Sequence, residues 1–461
     1  MRSALSALAV AVLAGCTAGP SYRRPEQALA DRLYGEEGPS SAAALTDSPW
    51  WEVFRDPSLR ALVDEALRNG YDVRIAAARV EQARARWGIA GADFYPSVAG
   101  VAGILQGHTS EFATPSDKTG RLITADVNVS WELDVWGRIR RLNQAARASY
   151  LATEEARRGV LLTLVSDVAT AYFELRELDD ELEIARRATG AFQSTSDLFG
   201  NRLAGGVASG LETARAEASL ANEAAQIPLL ERAIVAKENQ LDLLLGRAPG
   251  PIARGERMED QIAPPAIPPG LPSALLLRRP DVRQLEQELV AANATIGAAE
   301  AALYPTLTLT GLFGGQSPEL ATLLGGGRMW SIGAGLLAPL FNGGRLRGQR
   351  RLAVAEFEEA RARYELGVTN ALGEVSTSLV AMQKLTNAEA QRVHGVASNR
   401  EAVRLATLRY ESGFSAYFEV LDAIQLLLTS ENGLAQTRRD RFVELVRFYK
   451  ALGGGWTAEA K

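Results

Sequence analysis

The chain has 461 residues, 47% apolar, 23% charged and 7% aromatic, a balance that fits a folded protein and excludes wholesale disorder. Its 50 basic and 55 acidic side chains leave a formal charge of −5, so no basic field exists to gather nucleic acid. One cysteine, Cys16, and two histidines, His108 and His394, exclude a disulfide framework and any zinc site built from several Cys or His ligands, though not a carboxylate-only metal site.

At the amino terminus Arg2 precedes an apolar run from Ala4 to Ala14 that ends in Leu13-Ala14-Gly15-Cys16. Charge, apolar stretch and small residues predict an export signal over residues 1–15, too short to span a membrane once the chain is mature. The cysteine that follows resembles that of a bacterial lipoprotein, whose thiol receives a diacylglycerol before the chain is cut in front of it. An incidental cysteine behind a plain signal is the alternative. Thr17, where inner-membrane lipoproteins carry Asp, points by the same resemblance to the outer membrane. Residues 16–60 are then the lipidated N-terminal segment. After residue 16 no run reaches the roughly 18 to 20 apolar residues of a membrane-crossing helix.

The first unit, 61–248, opens with a helix, and two strands follow at about 96–106 and 122–133. In the second strand Ala125, Val127, Val129, Trp131 and Leu133 alternate with Asp126, Asn128, Ser130 and Glu132. That is a period of two with one fully polar face. The first strand is small and apolar but alternates poorly, and His108 falls in the loop expected between the two. A proline-free helix is predicted over about 142–200, roughly 85 to 90 Å at 1.5 Å per residue, longer than a compact domain accommodates. Within it Leu164, Val168, Ala171, Leu175, Leu178, Leu182 and Ala185 recur at steps of three and four, a heptad seam. A glycine-bearing turn leads to a return helix over about 210–246, which Pro228 should kink.

Residues 249–280 hold eight of the 19 prolines and read as a stiff extended linker. Beyond it the pattern recurs over 281–452. Tyr71-Asp72-Val73-Arg74 and Tyr95-Pro96 return as Pro280-Asp281-Val282-Arg283 and Tyr304-Pro305, a shift of 209 residues, and Arg202 with Gly206 returns as Arg409 with Gly413, a shift of 207. The second copy predicts a helix, strands at about 304–314 and 329–341, and long helices at about 346–410 and 417–452. Tyr364, Val368, Ala371, Val375, Ser378, Met382 and Leu385 form its seam. Residues 453–461 are a tail.

Strands of about ten residues, apolar on one side and polar on the other, suit a transmembrane β-barrel, and a soluble antiparallel sheet would show the same alternation. The long coiled helices favour the barrel. Four strands cannot close, and an open edge in lipid leaves backbone groups unsatisfied, so copies must pool their strands. Two copies give eight strands and a filled interior; three give twelve and an open lumen, which the polar Asp126, Asn128, Ser130 and Glu132 fit. The fold class read from the sequence is therefore an α+β membrane protein. Each chain contributes four strands to a trimeric 12-stranded transmembrane β-barrel, continued by a long α-helical coiled-coil barrel, with two internal structural repeats.

Short motifs add a family resemblance. Leu13-Ala14-Gly15-Cys16 with Gly19-Pro20, Trp50-Trp51 with Phe54 and Asp56-Pro57, Phe94-Tyr95-Pro96, Leu271-Pro272-Ser273 and Arg278-Arg279-Pro280-Asp281 are among its carriers. So are Leu340-Phe341-Asn342-Gly343-Gly344, Tyr410 with Gly413, Leu421-Asp422-Ala423 and Leu452-Gly453-Gly454-Gly455-Trp456. Together they resemble the outer-membrane efflux channel family, TolC-like, in its lipidated NodT-type branch. The resemblance implies a homotrimer in outer-membrane lipid that extends into the periplasm. It also implies a periplasmic adaptor protein and an inner-membrane pump, of the proton-driven type, as partners, with multidrug resistance as a typical outcome. No enzymatic motif is present: there is no phosphate loop, no Gly-x-Ser-x-Gly, no His-Glu-x-x-His and no Gly-x-Gly-x-x-Gly, so neither a catalytic residue nor a cofactor is expected beyond the covalent lipid on Cys16. The outer channel of a protein export system and a non-pore envelope scaffold or adhesin are the alternatives.

Two sets of candidate residues remain besides Cys16. Arg202, Gly206, Val207 and Ser209 in the first hairpin, and Arg409, Tyr410, Gly413 and Phe414 in the second, mark the helix tips. There glycine permits the reversal, and an exposed apolar side chain implies a docking partner, the adaptor. Asp422 stands where the resemblance places an acidic ring at the closed periplasmic end, with Phe418 one turn earlier and Arg215 at the equivalent position of the first copy. Solvated charges on separate helix faces are the plainer reading of that pair.

Overall fold

The computed structural model describes residues 17–26, 54, 56–109, 118–207, 209–260 and 278–454. Cys16, the export signal, most of the proline-rich linker and the last residues of the tail lie outside them. In chain order the elements are α1 (Pro57–Asn69), α2 (Tyr71–Ala92), β1 (Ser97–Thr109), β2 (Lys118–Leu133), α3 (Arg138–Ala204), α4 (Gly210–Ala224), α5 (Gln226–Leu245), α6 (Pro280–Ala301), β3 (Thr306–Ser317), β4 (Arg328–Leu337), α7 (Arg345–Glu411) and α8 (Tyr417–Ala451).

Several boundaries depart from the sequence reading, each for a local reason. The opening helix is two helices, because at Gly70 the backbone turns to φ −55°, ψ 135°, and a Cβ there would meet the Ala66 carbonyl at 2.5 Å. β1 and β2 are longer than expected, and His108 lies in β1 opposite Thr119 rather than in a loop, since the backbone ladder continues where side-chain alternation has faded. The return helix over 210–246, expected to kink at Pro228, divides into two helices at Ala225. Pro228 has no N–H to donate and crowds the carbonyl of Ala224, so the break falls a turn ahead of the proline. β4 ends at Leu337 and not at 341, because Pro339 cannot donate to a ladder and Gly343 and Gly344 turn the chain with φ of 61° and 82°.

The compact units do not follow the two sequence copies. Among the described residues, one gathers those within 1–27, 79–154 and 284–366; the other gathers those within 28–78, 155–283 and 367–461. Pairing between copies is the reason, for β2 of the first hydrogen-bonds to β3 of the second.

The first unit holds one antiparallel sheet in the order β1-β2-β3-β4. Its registers align the faces across all four strands. Asp126 lies opposite Val101 and Gly314, Asn128 opposite Ala99 and Leu312, and Ser130 opposite Ser97 and Thr310, which together with Thr308 and Ser331 form the polar face. The other face joins Val98, Val127, Trp131, Leu309, Phe313, Trp330, Ile332 and Leu336, every one of them exposed. Where β2 meets α3, Asp134 accepts from the backbone N–H groups of Ile139 and Arg140 at 2.9 and 2.8 Å, a carboxylate cap on the positive helix end. Glu132 and Arg138 form a two-point ion pair across the same junction at 2.9 and 2.8 Å.

Residues 17–24 strap onto this unit. The Ala18 N–H donates to the Trp136 carbonyl at 3.0 Å, and Arg141 donates to the carbonyls of Ala18 and Gly19 at 3.0 and 3.1 Å. Arg24 clasps Glu286 through two bonds of 2.7 and 2.6 Å. Gly19 has φ +89° and a Cβ on it would fall 2.3 Å from the Cα of Gly297, so glycine is required on both counts.

The second unit is helical. The predicted seams are buried on both long helices, with Leu178 and Leu385 only half-buried, and the core centres on Tyr172, Phe173, Leu175, Leu241 and Leu245. Phe173 stacks on Phe442 at 4.7 Å between ring centroids and tilts against Phe54 at 5.7 Å. The Tyr172 hydroxyl donates to Asp56 Oδ2 at 2.7 Å and accepts from the Gly255 N–H at 2.9 Å. The same carboxylate caps α1 through the N–H groups of Ser58 and Leu59. One phenol therefore ties three distant stretches of chain. Tyr172→Phe removes both bonds and is expected to destabilise this unit by about 2 kcal/mol, measured as a lowered midpoint of chemical or thermal unfolding; an unchanged midpoint would show the tie to be dispensable.

Candidate functional site

The two helix hairpins end in the same backbone device. After α3 the Val207 N–H bonds to the Arg202 carbonyl at 2.9 Å and the Gly206 N–H to Leu203 at 2.9 Å, with Gly206 at φ +75°. After α7 the Phe414 N–H bonds to Arg409 at 2.9 Å and Gly413 to Tyr410 at 3.0 Å, with Gly413 at φ +80°. Both are Schellman caps, in which a left-handed residue closes the helix and returns its last carbonyls to use, and glycine takes that conformation without strain. The caps aim Val207 and Phe414 outward, at 77% and 79% exposure.

Restarting the chain differs between the tips. Ser209 caps α4 reciprocally with Glu212, whereas Ala416 caps α8 without any side-chain bond and the buried hydroxyl of Ser415 finds no partner. Arg409 compensates in part by pairing with Glu419 at 3.6 Å.

Behind the tips lies an aromatic cluster. Tyr417 packs edge-on to Phe199 at 4.8 Å and to Tyr410 at 5.0 Å, and its hydroxyl shares a 2.5 Å hydrogen bond with the Thr195 hydroxyl. Burial holds the Tyr417 phenol above its ordinary pKa, so it stays protonated. Arg202 donates to the Tyr410 hydroxyl and lies over that ring at 5.4 Å, which fastens the end of α3 to the end of α7. The sequence reading named Arg202 and Tyr410, and Tyr417 as a bulky residue of the second tip, but missed Phe199 and Thr195. The available signal was Phe199, which continues the α3 seam two heptads beyond Ala185.

The gate candidates sit on one exposed stripe of α8. Phe418 and Asp422 are a turn apart, with the buried Tyr417, Val420, Leu421 and Ala423 on the opposite side. Arg215 is not bonded to Asp422 within the chain; its guanidinium lies over the Phe418 ring at 5.6 Å. Equivalent positions in two copies are related by the repeat and need not touch, and the ring one turn nearer the tip is what the arginine meets.

The matching of this chain to known proteins extends over nearly its whole length. A family model described as "Outer membrane efflux protein" matches residues 62–247 and 271–454. The chain belongs to the outer membrane efflux protein family. It is 33% identical, over 98% of both chains, to the solvent efflux pump outer membrane protein SrpC of Pseudomonas putida. It is 32% identical, again over 98% of both, to the probable outer membrane lipoprotein SilC of Salmonella typhimurium. Among solved structures, the open-state outer membrane channel MtrE of Neisseria gonorrhoeae superposes with a TM-score of 0.86 at 30% identity, over 95% of this chain and 98% of that one. The protein is accordingly an efflux channel of the bacterial outer membrane, with the TolC-like fold of long helices and a four-stranded antiparallel sheet. None of the helices among the described residues is long and apolar enough to cross a membrane.

Proposed function

We propose that three copies of this outer-membrane efflux channel close a twelve-stranded barrel and act as a passive, non-catalytic conduit for small molecules. The observation that carries the reading is the sheet itself. It has one continuous exposed apolar face, one polar face, and outer strands β1 and β4 that each pair on one side only within the chain. Lipid tolerates no open edge, so the neighbour of β4 is β1 of another copy. The polar face then lines the lumen. Relatives whose names carry cargoes as different as solvents, toluene and cations are consistent with a lumen that selects little. Selection in that case falls to the partners, a periplasmic adaptor docked on the tips and an inner-membrane pump of the proton-driven type, with the acyl chains on Cys16 as the second hold on the membrane.

The gate in this reading is the α8 stripe. Three Asp422 carboxylates around a narrow pore repel one another unless a cation lies between them, so the closed state should prefer cations, while Phe418, its ring already covered by Arg215, narrows the pore one turn away. In planar bilayers the purified trimer should show discrete conductance steps, and Asp422→Ala should raise resting conductance severalfold and weaken cation preference. Wild-type conductance and selectivity from a trimeric Asp422→Ala channel would move the constriction to Phe418. Absence of any conductance from the trimer would sink the conduit itself.

A further inference from the structure

The connection between β3 and β4 does not project from the end of the sheet; it folds back on it. The Gln316 N–H bonds to the Gly327 carbonyl at 2.8 Å, the Gly327 N–H to Thr322 at 3.1 Å, and the Ser317 and Thr322 hydroxyls share a 2.6 Å bond, so the loop is internally fastened. Leu323 is tucked against Gly315, where a Cβ would meet the Leu323 carbonyl at 2.2 Å, and Ile123 and Ser317 are buried with it. Register decides which face is covered. Gly315 lies opposite Ala125 and Ser317 opposite Ile123, the row that continues through Val127, Phe313 and Trp330, so the loop lies on the apolar outward face and away from the lumen.

What the folded loop exposes is chemically specific. Leu320 and Leu324 are 69% and 74% exposed, and Trp330, just below them on β4, is 73% exposed. Arg328, opposite Gly315, shares the outward face, and so does Arg121 on β2, two residues from Ile123; both are exposed. Arg328 donates to the Gly325 carbonyl at 3.3 Å, and neither guanidinium is paired with a carboxylate among the described residues. Apolar side chains, an aromatic and two arginines, Arg121 and Arg328 on strands separated by β3, thus share the outward face at the sheet end away from the helices, where in the barrel reading the outer leaflet of the membrane changes from acyl chain to headgroup. Arginine is the residue whose fork fits phosphate oxygens, and tryptophan suits that boundary.

We propose that this corner binds an acylated, phosphate-bearing lipid of the outer leaflet, its phosphates on Arg328 and Arg121 and its chains against Leu320, Leu324 and Trp330. The proposal rests on the reading of the apolar face as lipid-facing. It commits to lipid rather than free phosphate because the charges adjoin a continuous apolar surface.

The test uses the purified full-length trimer and three probes: bisphosphorylated lipid A, its dephosphorylated form and inorganic phosphate. Expected are binding of lipid A, a loss of about ten-fold or more in affinity for an Arg121→Gln, Arg328→Gln double variant of unchanged conductance, and a similar loss on dephosphorylation. Equal lipid A affinity of variant and wild type would overturn the proposal, as would displacement of lipid A by inorganic phosphate at equimolar concentration. The underlying reading is checked separately in vesicles of brominated phospholipid, where the quenching lost in Trp330→Phe reports lipid contact. Quenching with unchanged lipid A affinity defeats only the headgroup site. No quenching at Trp330 defeats the lipid-facing assignment and the proposal with it.

Discussion

Carboxylates at both tips, in a Val207→Glu, Phe414→Glu double variant, are expected to abolish efflux while the trimer still assembles. Each side chain projects from a Schellman cap whose hydrogen bonds are all backbone, so neither substitution removes a bond that holds the hairpin. Both positions are more than three-quarters exposed, so the free channel accepts a charge there at little cost. In an apolar contact with an adaptor the same charge is buried without a partner, at roughly 2 to 5 kcal/mol for each site. In the proposed trimer each chain carries two tips, so the penalties compound. Drug accumulation in cells should match a channel-null strain, while cross-linking still captures trimers in the outer membrane. Wild-type efflux from the assembled double variant would remove the tips from the docking surface.

Cys16→Ser should abolish labelling by radioactive palmitate and leave the precursor uncut or mislocalised, because acyl transfer and signal removal both depend on the thiol. A single acyl chain holds a protein only marginally and two or more hold it firmly. The residues just after Cys16 are held by the strap. Only Thr17 separates Cys16 from Ala18, whose N–H bonds to the Trp136 carbonyl just past the end of β2, and Arg141 grips the next two carbonyls. Labelling of the serine variant at the wild-type level would refute acylation at this residue. Residual efflux would not, since the sheet itself can retain the protein.

Much of the architecture was legible in the chain alone, because it follows from local periodicity. A period of two over 124–133 announces a half-buried strand, and steps of three and four from Leu164 to Ala185 announce a helix with one buried seam. Glycine at 206 and 413 marks the reversals, since few other residues accept a positive φ. The family could be read for the same reason, from short runs of fixed composition and spacing. Strand ends were less legible. β1 runs on to Thr109 because the backbone ladder is indifferent to side-chain alternation, and β4 stops early because Pro339 lacks a donor.

Tertiary structure alone decided which distant residues meet. Nothing in the order of residues announces that Tyr172 reaches Asp56 and Gly255, that Arg141 holds the carbonyls of Ala18 and Gly19, or that Arg215 covers Phe418. Only the register between β2 and β3 reveals that the 318–327 loop lies on the outward face. Periodicity belongs to a few consecutive turns or pleats and is written in adjacent residues. Contact between segments 83 to 203 residues apart is settled by how whole elements pack, which no local pattern encodes.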